Sequence, residues 1–402
     1  MVSNYIKKIS AKAIQVIVVL MLITSALVSC KKPENAALTA FDNFDRTGML
    51  TNIGNNIIIP SYTSFTQKTD SLYTAVQRFS ANPTAGALDT LQHQWTQANL
   101  SWKSCELFDF GPAYDNGYSD NIEYTDNYTM NFKVNVSFLE NNTINKTPIP
   151  YDSTFVPEQN PANVVTGLYA MEYLLFDPVN GNTAILSKYT TNNIASTQRL
   201  NYLLGLIQYI RSNAHQLLNA WLPSGGNYIQ KFISENSNDA NSSISLLVIQ
   251  IVNFGDYIKN DKIGDPLGEL NNTSTGSTCS TCVETYYSNN AFACLTANYQ
   301  SIYNVFFGIG NNGAKGLGFS DLLNALNSTV GTQTLSSAVQ NKIDTINIEI
   351  NAFNIPLQQA VTNDASQVTT LFNTAKDLLV LLKIDMANSL GIQIPNTDKD
   401  GD

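Results

Sequence analysis

The sequence predicts an all-α protein, two four-helix bundles packed side by side. Three observations carry this. Apolar residues recur at spacings of three and four through most of the chain beyond residue 49. Eight such stretches reach helix length, near 49–80, 84–108, 160–176, 192–221, 227–260, 283–307, 333–355 and 366–390. The helix-stopping run Pro223-Ser224-Gly225-Gly226 divides them four and four. No alternating series of comparable strength marks a sheet.

Taken in order, Ile53, Ile57, Tyr62, Phe65, Leu72, Val76 and Phe79 line one face of a first long helix, which Pro60 bends. Trp95 and Trp102 anchor the second. Between helices two and three, residues 113–155 are rich in Tyr, Asn and Asp; they form a long loop or hold a small hairpin such as Asn131–Phe138. Leu203, Leu206, Ile210, Leu217 and Trp221 mark the fourth helix. Val339, Ile343, Ile346 and Ile350 mark the seventh, ended or kinked by Pro356. Leu371, Ala375, Leu378 and Leu382 mark the eighth, stopped at Gly391. The bundles are assigned to 49–224 and 225–396.

Ahead of them lies an export signal. Lys7, Lys8 and Lys12 precede an apolar run from Ala13 to Val28, which closes in Leu27-Val28-Ser29-Cys30. That ending resembles a bacterial lipobox, in which Cys30 is lipidated after removal of 1–29, leaving 30–48 as a tether. The expected location is the cell envelope, on a lipid anchor in the outer membrane, facing the periplasm or the surface. Export also means an oxidising compartment, so Cys279 and Cys282, with two residues between them, are a candidate local disulfide, or one of them clips a loop to another cysteine. A thioredoxin-like redox site is the sharper alternative, but no βαβ pattern surrounds it.

Composition removes several function classes. A net charge of -10 speaks against nucleic acid as a partner. Two histidines, His93 and His215, exclude any site built from several imidazoles. They lie far apart and form no His-Glu-x-x-His, and no Gly-x-Ser-x-Gly elbow is present. At 43% apolar residues, material for a core is ample.

One acid stands out. Glu172 sits in Gly167-Leu168-Tyr169-Ala170-Met171-Glu172-Tyr173-Leu174-Leu175-Phe176, otherwise nearly all apolar. A carboxylate there must be hydrogen-bonded, paired, protonated or bound to a cation. Tyr169, three residues earlier, shares its helical face. Phenol plus carboxylate is an oxygen-only pair suited to ferric iron or a hard divalent cation, or it is a Tyr–Glu hydrogen bond inside the core. Gly167 inside the helical pattern points to close backbone packing. Glu106 and Asp109, three apart at the end of the second helix, are further ligand candidates, although Lys103 or Arg78 is available to pair with Glu106.

The Gly167–Glu172 run resembles the Gly-x-His-x-x-Glu signature of the imelysin family. Glu106-x4-Gly111-Pro112, Lys262-Ile263-Gly264-Asp265-Pro266-Leu267-Gly268 and Val283-Glu284-Thr285-Tyr286-Tyr287-Ser288 extend the resemblance. The family consists of exported bacterial proteins described as insulin-cleaving membrane proteases and related to periplasmic components of iron uptake. The resemblance implies two helical bundles with a functional site between them, lined by Glu172 and, from the second bundle, by Glu284 and Ser288. Where the signature has His, this chain has Tyr169, and a phenol is a poorer base and ligand near neutral pH. The expected function is therefore a non-catalytic binding protein for a divalent or ferric cation or an iron-linked ligand, with a metallopeptidase or a structural, interaction lipoprotein as alternatives.

Overall fold

A computed structural model describes residues 36–123, 132, 134–145, 165–269 and 277–395. The signal 1–29, Cys30 and the acidic end of the chain lie outside them. The chain divides into two units, up to Phe44 and from Asp45 onward. In the first, Ala36–Asn43 is helical, inside the stretch expected to be a tether.

The second unit is all-α. Among the described residues its long helices are α1 (Ile59–Ala81), α2 (Ala85–Lys103), α3 (Gly167–Leu175), α4 (Ile194–Trp221), α5 (Ser243–Tyr257), α6 (Ala291–Phe307), α7 (Leu335–Asn351) and α8 (Ala365–Val380). α1 packs on α2 and α4, and α3 packs on both of those. α8 packs on α5 and α7, and α6 packs on α7 and also on α2. The only strands among the described residues are Thr329–Val330 and Gln333–Thr334, a two-residue antiparallel pair. No described helix is long and apolar enough to cross a membrane.

Local chemistry explains where the helices differ from their expected bounds. Pro60 sits in the first turn of α1 without breaking it, because a wide helical turn, Ile53–Ile58, precedes it. There the Ile59 N–H bonds back to Gly54 O. The Asn56 carbonyl, which a residue with an N–H at position 60 would satisfy, instead accepts the Asn311 N–H at 2.9 Å.

α2 stops at Lys103 rather than running to 108, and a tight turn over Glu106–Phe108 redirects the chain. The segment expected at 227–260 is two helices, Tyr228–Ser234 and α5, with Ser242 capping α5 through its hydroxyl. α6 begins at Ala291, not 283, because Thr285 and Asn289 hold positive φ of 51° and 61°. Of the candidate hairpin Asn131–Phe138, residues 131 and 133 lie outside the described residues, and its end is helical. Asn135 accepts the Phe138 N–H and caps a helical turn over Val136–Phe138. Gly181–Thr190 and Phe319–Ala325 are helices without a strong enough periodic signal to be anticipated. Glycine 391, in the left-handed conformation, ends the last helix, Ala387–Leu390.

A buried ionic network as the candidate functional site

Where α2 ends, it delivers Lys103 into the interior, fully buried. An isolated ammonium there would be strongly unfavourable, so its partners decide whether the fold is viable. Its Nζ lies 2.8 Å from Glu106 Oε1, 2.7 Å from Glu284 Oε1 and against Glu123 Oε1. It also donates to the Tyr169 phenol oxygen at 3.2 Å. A second buried ammonium, Lys262, reaches Glu106 Oε2 at 2.9 Å, Glu284 Oε1 at 3.1 Å and Asn298 Oδ1 at 2.8 Å.

Each member is placed by a local feature. The turn after α2 puts Glu106 three residues from Lys103 and facing it. Asn298 of α6 secures that turn, donating to the Lys103 carbonyl at 2.9 Å and to Glu106 Oε2 at 2.5 Å. Lys262 lies on a wide helical turn, Ile258–Gly264, that continues α5. Glu123 closes a short helix, Tyr118–Glu123. Its Oε2 accepts the Trp102 indole N–H at 2.7 Å. Gly167 lets α3 approach it: φ is +71°, and a Cβ there would stand 2.4 Å from the Glu123 carbonyl oxygen. The Tyr169 hydroxyl, two residues on, lies 2.7 Å from Glu123 Oε1 and 2.9 Å from Glu284 Oε1 and donates to one of them at a time.

Electrostatics follow from this packing. Burial alone would raise the Glu284 pKa, but Lys103 and Lys262 outweigh it and hold the carboxyl well below its usual range. Burial likewise lowers Lys262, and Glu106 and Glu284 more than reverse that, so it stays charged. Burial, with Glu284 beside it, pushes the Tyr169 phenol well up, so at neutral pH it is a donor and not a phenolate.

The expected pairing of Tyr169 with Glu172 does not occur. Tyr169 faces the network, whereas Glu172, 2% exposed, accepts the Ser288 N–H at 2.8 Å and the Ser288 hydroxyl at 2.7 Å. With no ammonium in its own contacts, burial raises its pKa to about 7 despite those two bonds. Its expected position lining an accessible crevice is therefore corrected: the side chain is sealed, and a serine satisfies it.

The accessible space lies elsewhere. A cavity of about 370 Å³ is lined by Trp102, Glu106, Asp109, Asp120, Glu123 and Tyr257, among others. Glu172 is not part of its wall. Glu106 and Glu123 thus belong both to the network and to the cavity. Asp109 Oδ1 has no hydrogen-bond partner among the described residues, and burial, with Asp120 and Glu106 nearby, raises the Asp109 pKa although the Ser119 hydroxyl opposes this. Tyr114 and Asp120 are exposed.

Of the other singled-out residues, Cys279 and Cys282 form a disulfide two residues before Glu284. His93 is exposed, and His215 pairs with Asp70 at 3.0 Å beside Arg211. Arg78 is exposed, so Lys103 and not Arg78 pairs with Glu106. The residues that periodicity did not single out are Glu123, Lys262 and Asn298. Asn298 had a readable signal, a polar residue on the apolar stripe Cys294, Leu295, Tyr299, Ile302. Glu123, inside the Tyr/Asn-rich stretch, had none.

Comparison with known proteins agrees with this architecture. The family profile described as Imelysin matches residues 58–382. A stretch of 62 residues is 34% identical to iron-regulated protein A of Synechococcus elongatus; it covers 15% of this chain and 17% of that relative, so the chain spans under a fifth of its length. Among solved structures, an imelysin-like protein from Psychrobacter arcticum aligns with TM-score 0.65 and 16% identity, over 87% of this chain and 97% of that one. A structure described as an iron-regulated protein A precursor from Parabacteroides distasonis aligns at 0.67 and 19%, over 89% and 96%. At these identities the structural matches speak to fold alone.

Proposed function

Because the chain belongs to the imelysin family, we propose that it is a lipid-anchored, non-catalytic binding protein of the cell envelope, linked to iron uptake, that admits a cationic or iron-linked ligand to the acidic cavity. The anchor is Cys30, and the iron link rests on the names of its relatives. One observation carries the binding role. The cavity walled by Glu106, Asp109, Asp120 and Glu123 ends on the buried network, and in its wall Asp109 Oδ1 is a buried carboxylate oxygen with no hydrogen-bond partner among the described residues. Trp102 and Tyr257 add aromatic faces beside those acids, which favours cations further.

A peptidase role has less support in these residues. Neither histidine belongs to the network, and the Tyr169 phenol that replaces the signature imidazole is held protonated between two carboxylates. Among the described residues, the carboxyl brought near neutral pH, Glu172, is sealed against Ser288 and has no ammonium or imidazole in its contacts.

Calorimetric titration of the protein, purified without a histidine tag, with Fe²⁺ under anaerobic conditions tests the reading. Saturable binding that weakens at least about tenfold in Asp109→Asn supports it. Binding indifferent to Asp109 and Asp120, or none, refutes it. Cys30→Ser is expected to move the protein from the membrane fraction to the soluble fraction.

A further inference from the structure

The family's link to iron implies a metal in the charged core, and the residues there allow a direct test of fit. Glu106, Glu123 and Glu284 each offer a carboxylate oxygen within 4.8 Å of the others, spacing that one hard cation spans with bonds of about 2.0–2.6 Å. A metal does not fit this chain as it stands, because Lys103 and Lys262 already fill the space. Between them they touch all three carboxylates, and Glu284 Oε1 alone meets both ammoniums and the Tyr169 hydroxyl. Two ammoniums against three carboxylates leave a single excess negative charge, too little to favour a divalent ion that must also displace two hydrogen-bonded lysines.

We infer that this chain supplies its own cations where a metal ion would sit: Lys103 and Lys262 are internal replacements, and removing one of them converts the triad of Glu106, Glu123 and Glu284 into a site for a hard divalent cation. The charge balance gives the reason. Without one ammonium the cluster carries two excess negative charges, matched to one divalent ion. The ligand set is then carboxylate and phenol oxygen, which favours Mn²⁺ or Mg²⁺ over a nitrogen- or sulfur-seeking metal. The lysines also tie Lys103, Glu106, Glu123 and Tyr169, all before residue 224, to Lys262, Glu284 and Asn298 after it. In wild type this work needs no metal.

The experiment is thermal unfolding with Mn²⁺ or with chelator, on proteins carrying both Asp109→Asn and Asp120→Asn, which removes the two cavity acids outside the network. The parent is expected to melt at the same temperature in both. Lys103→Met is expected to melt lower with chelator and to recover by at least about 3 °C at saturating Mn²⁺, a gain abolished by adding Glu284→Gln. Lys262→Met provides the same test should Lys103→Met fail to fold. The inference is overturned if folded lysine variants show no Mn²⁺ response, or if the parent takes up stoichiometric Mn²⁺ that Glu284→Gln removes. Because Asp109 and Asp120 are replaced throughout, failure of the cavity reading and failure of this one are told apart.

Discussion

Glu284, ahead of α6, and Glu172, on α3, are both sealed in the interior, and they titrate in opposite directions. Glu284 meets two ammoniums and stays ionised far below its ordinary range. Glu172 meets one serine through two hydrogen bonds, and its pKa rises to about 7. Burial is common to both, so the difference comes from the partner's charge. Hydrogen bonds from a neutral serine offset part of the desolvation of a carboxylate; two full charges reverse it. The same contrast separates a permanently charged core from a neighbour whose charge changes near physiological pH.

Removing an ammonium attacks the charged side of this contrast most severely. Lys103→Met, in metal-free buffer, is expected to cost about 3–5 kcal/mol in chemical denaturation, since it leaves buried carboxylates without their main counter-charge. A loss under 1 kcal/mol would mean that Glu284 does not depend on Lys103.

The neutral side shows itself through pH. The raised Glu172 pKa means that the folded state holds a proton which the unfolded chain has released. Its contribution is full below about pH 4.5 and is lost as pH rises through about 7. The loss is on the order of 3 kcal/mol. Glu172→Gln, which mimics the protonated acid, is expected to flatten the fall in melting temperature between pH 5 and pH 8. Glu284 has the opposite sign: its stabilisation is present above about pH 4.5 and is lost as pH falls below that value. A Glu172→Gln profile parallel to wild type would remove the contrast.

Gly167→Ala tests the close approach that brings Glu123 to the network. Its Cβ would meet the Glu123 carbonyl at 2.4 Å, at a positive φ, for an expected loss of about 1–3 kcal/mol. Ser288→Ala is the mildest change, about 1 kcal/mol above pH 7 and less at pH 5, where a protonated Glu172 needs the donor less.

These residues also mark how far the chain could be read from its sequence. The helices were legible because each buries an apolar face whose period is written in the residues, as in Ile343, Ile346 and Ile350. Their ends were less so. α2 ends at Lys103 because Asn298, 195 positions away, satisfies its carbonyl, and no local pattern carries that. For the site, the acid in the apolar run turns away from the network that its neighbour Tyr169 joins, whereas Gly167 does mark a close approach. The partner was misjudged: residues three apart on a helix share a face but need not share a neighbour, and Tyr169 and Glu172 diverge to different carboxylate and serine partners. Lys103 was legible as a partner for Glu106 and Lys262 only as part of the family resemblance, since only the fold reveals that both are buried.

The most direct measurement is nitrogen-15 NMR of the lysine side chains at neutral pH, with chelator present. Two slowly exchanging ammonium signals are expected, one lost in Lys103→Met and the other in Lys262→Met, both unchanged when Mn²⁺ is added to protein carrying Asp109→Asn and Asp120→Asn. A neutral-amine signal at either position, or broadening of both by bound Mn²⁺, would contradict a core neutralised by the chain's own lysines.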